Sequence, residues 1–166
     1  MNNMADFYLG IDPGTYGALA VLDKGGSIVD IYDMPTLEYV SGKSKKQRVN
    51  PQAICAELRL FKTQSVEGMI EQVNAMPGQG VTSMFSFGRA LGILEGTLAG
   101  LDIPYTLVTP QVWKKAMGAN ASKDGAREMA MRLWPSKSEL FKRKKDDGRA
   151  EAALLALYLL RTRNGR

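Results

Sequence analysis

The chain has 166 residues, 45% hydrophobic and 23% charged, enough for one soluble domain that covers both faces of a sheet. It contains no histidine, which excludes Ser-His-Asp and Cys-His nucleophilic sites, zincin motifs and histidine general bases. A single cysteine (Cys55), no leader-like pattern and no apolar run near the roughly 20 residues a bilayer needs point to a cytoplasmic protein, while a net charge of +5 permits a polyanionic partner.

Residues 7–11, 17–22 and 27–32 are short apolar runs separated by Pro13-Gly14 and Lys24-Gly25-Gly26, and they predict three strands joined as an antiparallel meander. Residues 34–50 are polar and basic and are expected as a flexible surface loop. Asn50 then caps a helix with Pro51 at its first position. A fourth, central strand is expected over 66–70, followed by a flexible Pro77-Gly78-Gln79-Gly80 loop. Ser83 is expected to cap a long helix to about Ala99, with Phe87, Leu91, Leu94 and Leu98 on one face. Gly88, Gly92, Gly96 and Gly100 recur at every fourth residue of that helix. Each interior glycine costs about 0.5–1 kcal/mol against alanine, so the row suggests either a closely approaching second backbone or tight packing within the monomer. A fifth strand follows at 105–108, then a helix after Pro110, a basic helix over 122–134 stopped by Pro135, and a largely buried helix over 147–162. This order predicts an α/β fold: a five-stranded mixed sheet, three antiparallel strands then two parallel, flanked by helices in a single domain.

Four carboxylates stand out in that arrangement. Asp12 closes the first strand at a Pro-Gly turn, and Glu71 closes the fourth, so the two can sit side by side at one sheet edge. Asp147 and Glu151 are four apart, on one face of the last helix. Like charges at that spacing destabilise a bare helix, and a divalent cation between them turns the cost into a gain. Oxygen ligands without histidine or cysteine select Mg²⁺ or Mn²⁺, and a pair of such ions suits phosphodiester hydrolysis. The competing reading of Asp147 is a helix N-cap. Asp146 ranks lower because adjacent helical residues diverge by about 100°.

The basic residues come in clusters: Lys43, Lys45, Lys46 and Arg48; Lys114 and Lys115; and Lys142, Arg143, Lys144, Lys145 and Arg149. Solvated surface is the ordinary fate of such side chains. Around an acidic metal site, however, they suit a polyanion whose phosphates bind the rim. Lys123 and Arg127 share the basic helix. Of Phe85 and Phe87, one is expected in the core; the other, with Asn74 and Met76, is placed to wedge against unstacked bases, unless both aromatics are core.

The ordered set Gly10-Ile11-Asp12-Pro13-Gly14, Ile70-Glu71-Gln72-Val73, Ala75-Met76-Pro77-Gly78-Gln79-Gly80-Val81, Phe85-Ser86-Phe87-Gly88-Arg89, Thr109-Pro110-Gln111-Val112-Trp113-Lys114-Lys115 and Lys144-Lys145-Asp146-Asp147-Gly148-Arg149-Ala150-Glu151-Ala152 resembles the RuvC-type Holliday junction resolvases, in the phage and organellar branch of the RNase H-like superfamily. The blocks lie in family order from about residue 7 to 160. The resemblance implies a homodimer that cuts opposed strands of branched DNA, a four-way junction, with two Mg²⁺ or Mn²⁺ ions per site and neither membrane nor nucleotide cofactor. It implies Asp12, Glu71, Asp147 and Glu151 as metal-binding acids. It also implies Lys114 and Lys123 near the scissile phosphate, and Asn74 and Met76 as junction-probing residues. Phe85, Arg89, Lys115, Lys144 and Lys145 fall in the same blocks and are expected on the DNA side. Many bacterial relatives space the last two acids three apart and end in aspartate, and some carry histidine where this chain has Asp146. That leaves open how Asp146, Asp147 and Glu151 divide the work.

Two other readings compete. Asp12-Pro13-Gly14-Thr15 also suits the phosphate loop of an actin-like or sugar-kinase-like ATPase, but those folds duplicate the unit and this chain is short for two lobes. A branched-DNA-binding module that does not cut fits the basic clusters but leaves four converging acids as a repulsive cost beside phosphates.

Overall fold

Short apolar strands closed by glycine-bearing turns pair with their sequence neighbours, and the first three do so here. The computed structural model describes residues 5–61, 63–72, 74, 78–119 and 124–165. In it β1 (Phe7–Asp12), β2 (Ala18–Asp23) and β3 (Ile28–Asp33) form an antiparallel meander. A separate hairpin follows, β4 (Thr36–Ser41) with β5 (Ser44–Val49). Two further strands, β6 (Val66–Glu71) and β7 (Tyr105–Val108), join β1 in parallel, giving the sheet order β3-β2-β1-β6-β7. The sheet and its strand directions agree with those expected.

The segment expected as a flexible loop is different: 36–49 is a regular two-stranded ladder, not a loop. Its polarity hid the strands, because it has no buried face for an apolar alternation to mark; only Val49 of the twelve strand residues is buried. The turn chemistry explains it. Ser41 pairs with Ser44, and Gly42, at φ +62°, takes the first of the two central positions, where a II′-type hairpin turn needs glycine.

Helices cover both faces of the large sheet. Leu9, Ile11, Leu19, Val21 and Ile70 pack against α1 (Pro51–Leu58) and α2 (Val81–Gly100). The alternate residues Tyr8, Ala18, Ala20, Leu22 and Met69 pack with α3 (Pro110–Met117), α4 (Gly125–Leu133) and α5 (Asp147–Arg163). Among the described residues no helix is long and apolar enough to cross a membrane. Asn50 caps α1 as expected, accepting from the Ala53 amide at 3.2 Å. Helix α2 starts earlier than Ser83: extended Gly80 is its N-cap, and the Gly80 carbonyl already accepts from the Met84 amide. The α2 residues that face the core are Ala90, Leu94, Thr97 and Leu98, and neither Phe85 (71% exposed) nor Phe87 (38%) is buried with them. Trp134, restricted by Pro135, leaves the helical region and ends α4, and a 3₁₀ turn continues through Phe141.

Side chains alternate along a strand, so Asp12 shares the α5 face with Tyr8 and Gly10, and Glu71 shares it with Met69. Helix α5 lies directly on β1 there. A Cβ at Gly10 would stand 2.0 Å from the Ala152 carbonyl oxygen and 2.5 Å from the Ala156 nitrogen. Gly148 is also confined, with the Tyr16 carbonyl at 2.7 Å and Asp12 Oδ2 at 3.0 Å from its would-be Cβ. Gly10→Ala must therefore lift α5 off the sheet. We expect it to cost about 1–3 kcal/mol or more, read as a lower urea midpoint by circular dichroism.

Candidate metal centre

Parallel pairing of β1 and β6 sets Ile11 against Ile70, so the next residues, Asp12 and Glu71, emerge side by side at the strand ends. Helix α5 crosses this edge and adds Glu151 from its second turn. Carboxylate oxygens of Asp12, Glu71 and Glu151 all lie within 4.8 Å of one another. Three oxygen donors that close, with neither histidine nor thiolate among them, fit a hard divalent cation such as Mg²⁺ or Mn²⁺.

Their charges are mutually unfavourable. Burial, then the charges of Glu151 and Glu71, push the Asp12 carboxyl well above the ordinary range, against a smaller opposing pull from Lys114. Burial likewise raises Glu71, opposed by a hydrogen bond from Trp113 and reinforced by Glu151. Two neighbours on α3 hold the cluster in place. Fully buried Trp113 donates its indole N–H to Glu71 Oε2 at 2.7 Å, and Lys114 Nζ donates to Glu151 Oε1 at 2.6 Å. The Lys114 ammonium also lies 5.2 Å from the Trp113 ring centroid. Burial alone would lower the Lys114 pKa, but its bond to Glu151 and the surrounding carboxylates leave it raised, so this lysine stays charged.

Asp147 stands apart from those three. Its Oδ1 lies 2.9 Å from Arg127 Nε, in ionic contact but poorly aligned as a hydrogen bond. Arg127 is itself buried, donates to the carbonyls of Phe141 and Lys142, and pairs with Asp124. It thereby ties α4 to the segment leading into α5. Asp146 is the N-cap residue of α5, without a capping hydrogen bond from its side chain. Its carboxylate instead accepts from the Arg143 amide and guanidinium; burial would raise it, and Arg143 holds it below the ordinary range. It is outside the three-acid group.

The expected basic residues divide. Arg143 is committed to Asp146, and Arg149 makes a two-pronged pair with Asp33 at 2.6 and 2.7 Å. Lys144 and Lys145 are exposed and border a cavity of about 390 Å³ beside Asp147. Lys115 is exposed on α3. Arg89 and Phe85 border a larger groove of about 820 Å³ that reaches Asp12 and Asp147. Asn74 is exposed and accepts from Gln72 at 3.4 Å. Met76 and Lys123 lie outside the described residues. Sequence reading missed the Trp113 N–H and Arg127 as supports of the acids, and Tyr16, which is 90% exposed beside Asp12 and borders both cavities. An aromatic within a Pro-Gly turn was the only available signal for Tyr16. No local pattern marked the other two.

The mixed five-stranded sheet flanked by helices, with acids at the ends of adjacent parallel strands, has an RNase H-like α/β fold. The solved structures it resembles are those of RuvC from Thermus thermophilus. One, in complex with a Holliday junction substrate, gives a TM-score of 0.56 at 15% identity, and a second gives 0.55 at 18%, each over 95% of both chains. The fold is thus that of RuvC. Among curated proteins, the chloroplastic Holliday junction resolvase MOC1 of Chlamydomonas reinhardtii is 33% identical over 99 residues, which is 56% of this chain and 11% of that protein. No family model matches the chain.

Asp12 holds its proton to higher pH folded than unfolded, so the metal-free protein loses stability as pH rises from about 4 through the raised folded value. Asp12→Asn is therefore expected to raise the melting temperature at neutral pH. The gain should grow with pH across that window and vanish below it, as calorimetry over a pH series would record.

Proposed function

We propose that this chain is a structure-selective endonuclease that resolves four-way DNA junctions by paired nicks, in recombination, repair or phage DNA processing, through divalent-metal-dependent phosphodiester hydrolysis. The observation that carries the reading is the convergence of Asp12, Glu71 and Glu151 to within 4.8 Å at the edge of a RuvC-like sheet. The partial likeness to a chloroplast junction resolvase supports the same substrate.

Asp12, Glu71 and Glu151 would hold a first Mg²⁺ or Mn²⁺, and Asp147 would contribute to a second. Such ions, when bound, stabilise charge on the phosphoryl group and make water a better nucleophile. The chain's own cations do the rest. Lys114, charged and next to Glu151, meets a phosphate oxygen, and Lys115, Lys144 and Lys145 draw the polyanion to the rim. Lys123 is assigned to the scissile phosphate, and Asn74 and Met76 to the branch point, on the family resemblance alone. Hydrolysis joins a water oxygen to phosphorus and breaks the bond to the 3′-oxygen. A proton leaves the water, the 3′-oxygen gains one, and the products are a 5′-phosphate and a ligatable 3′-hydroxyl.

Paired incision calls for a homodimer. Glycines 88, 92, 96 and 100 support one, because nothing lies within 4 Å of their would-be Cβ positions, so packing within the monomer does not account for them among the described residues.

The direct test is a labelled mobile four-way junction incubated with and without Mg²⁺, mapping all strands. Symmetric nicks that require metal are expected, and Asp12→Asn should bind the junction yet lose cutting by at least ~100-fold. Binding without nicks would turn the reading to a non-cleaving branched-DNA module. For the dimer, Gly92→Leu with Gly96→Leu should give a monomer on sedimentation while each exchange adds helix propensity, about 1 kcal/mol or less. An undisturbed dimer would place the interface elsewhere.

A further inference from the structure

We propose that the groove between the β4–β5 hairpin and α2 seats one unpaired DNA strand leading away from the acid cluster, its phosphates along the hairpin and its bases against the aromatic side. The proposal rests on the nuclease reading and adds to it a binding element, the hairpin, and the form of DNA it takes. The hairpin contributes almost nothing to the core, and a two-stranded hairpin alone is marginally stable in water. It forms instead one wall of the groove of about 820 Å³ that ends at Asp12 and Asp147.

Five consecutive residues, 45–49, border that groove. Side chains of consecutive strand residues point to opposite faces, so it is the edge of β5 that faces inward. Among the described residues that edge has no partner strand, since β5 pairs with β4 alone. It therefore offers unpaired backbone N–H groups, alternating with carbonyls, and such N–H groups serve as phosphate donors in DNA complexes. Charge agrees. Lys45 is neutralised by Glu38 at 2.9 Å, but Lys46 and, on α2, Arg89 have no carboxylate partner among the described residues. Arg48 lies 5.8 Å from the Tyr39 ring centroid, leaving its charge available.

The other lining is aromatic. Tyr16 and Phe85 are 90% and 71% exposed, and Phe87 borders the same space. Scattered surface aromatics need no explanation, but three of them along one wall of a basic groove do. Stacking platforms beside a cationic backbone track are how unpaired strands are held, whereas a duplex keeps its base faces covered. Tyr16 also borders the Lys144 and Lys145 cavity, so the track has basic walls on both sides of the acids.

Binding of a fluorescein-labelled single-stranded oligonucleotide, followed by anisotropy over a salt series in metal-free buffer, tests this. Lys46→Ala with Arg48→Ala should weaken binding ~10-fold or more and flatten the log–log salt slope by roughly 1.4, about 0.7 for each phosphate no longer neutralised. Phe85→Ala should weaken binding at least ~5-fold with the slope unchanged, since stacking releases no counterions. All these side chains are exposed, so melting curves should not move. Unchanged affinity and slope in the double variant overturn the proposal. A duplex of the same sequence bound as tightly as the single strand, and insensitive to Phe85→Ala, overturns the choice of an unpaired strand. Junction nicking by the unaltered protein separates the two readings: nicking with normal strand binding by the hairpin variant sinks the groove alone, and loss of strand binding without any nicking by the unaltered protein sinks the nuclease reading alone.

Discussion

Helix α5 rests on β1 backbone to backbone, and the candidate site depends on that contact. Gly10 has no room for even a methyl group beneath Ala152 and Ala156, and Gly148 none between the Tyr16 carbonyl and the Asp12 carboxylate. These two glycines set the height and the axial position of α5. Glu151 is carried by the helix, whereas Asp12 and Glu71 are carried by the sheet. A rigid, close helix–sheet contact is what lets three acids from three elements meet. Protein interiors transmit small displacements because they are close-packed, so a methyl group at Gly10 would be felt at Asp12, two residues on, and at Glu151 on the displaced helix.

That convergence carries an electrostatic cost, and the surrounding structure shows how it is contained. Trp113 fixes one oxygen of Glu71 from a fully buried position, and Lys114 brings a charge into the cluster. Raised Asp12 and Glu71 mark a site whose anionic form is poorly solvated, and a divalent cation would relieve that. Farther out, Arg127, Arg143 and Arg149 are each spent on a carboxylate within the fold. In the basic run 142–145 before α5, Arg143 pairs with Asp146 and Lys142 with Glu139, so half of that run is already paired within the fold. The cations left for a polyanion are lysines and the residues of the hairpin and α2.

Much of this was legible from local pattern. Apolar runs broken by Gly and Pro located the strands, and acids at two strand ends and at one helix turn located the site. Where the reading failed, local pattern had nothing to report. The β4–β5 hairpin buries one residue of twelve, so no alternation betrayed it. Phe85 and Phe87, of which one is expected in the core from the sequence, sit at the N-terminal end of α2, where neither is buried. The glycine row remained ambiguous until the structure left its face uncovered within the monomer.

By itself the sequence determined which chemistry was open to this protein. Without histidine and with one cysteine, its clustered donors are hard oxygens, and alternation along two strands put Asp12 and Glu71 on the same face. Tertiary structure decided which acids meet. Asp147 and Glu151 look equivalent one turn apart, yet only Glu151 joins the cluster, while Asp147 lies against Arg127 from another helix. The physical reason is that ligand convergence and ion pairing are contests between partners distant in the chain. Their outcome depends on how α4, α5 and the sheet pack, and no spacing within one segment encodes that.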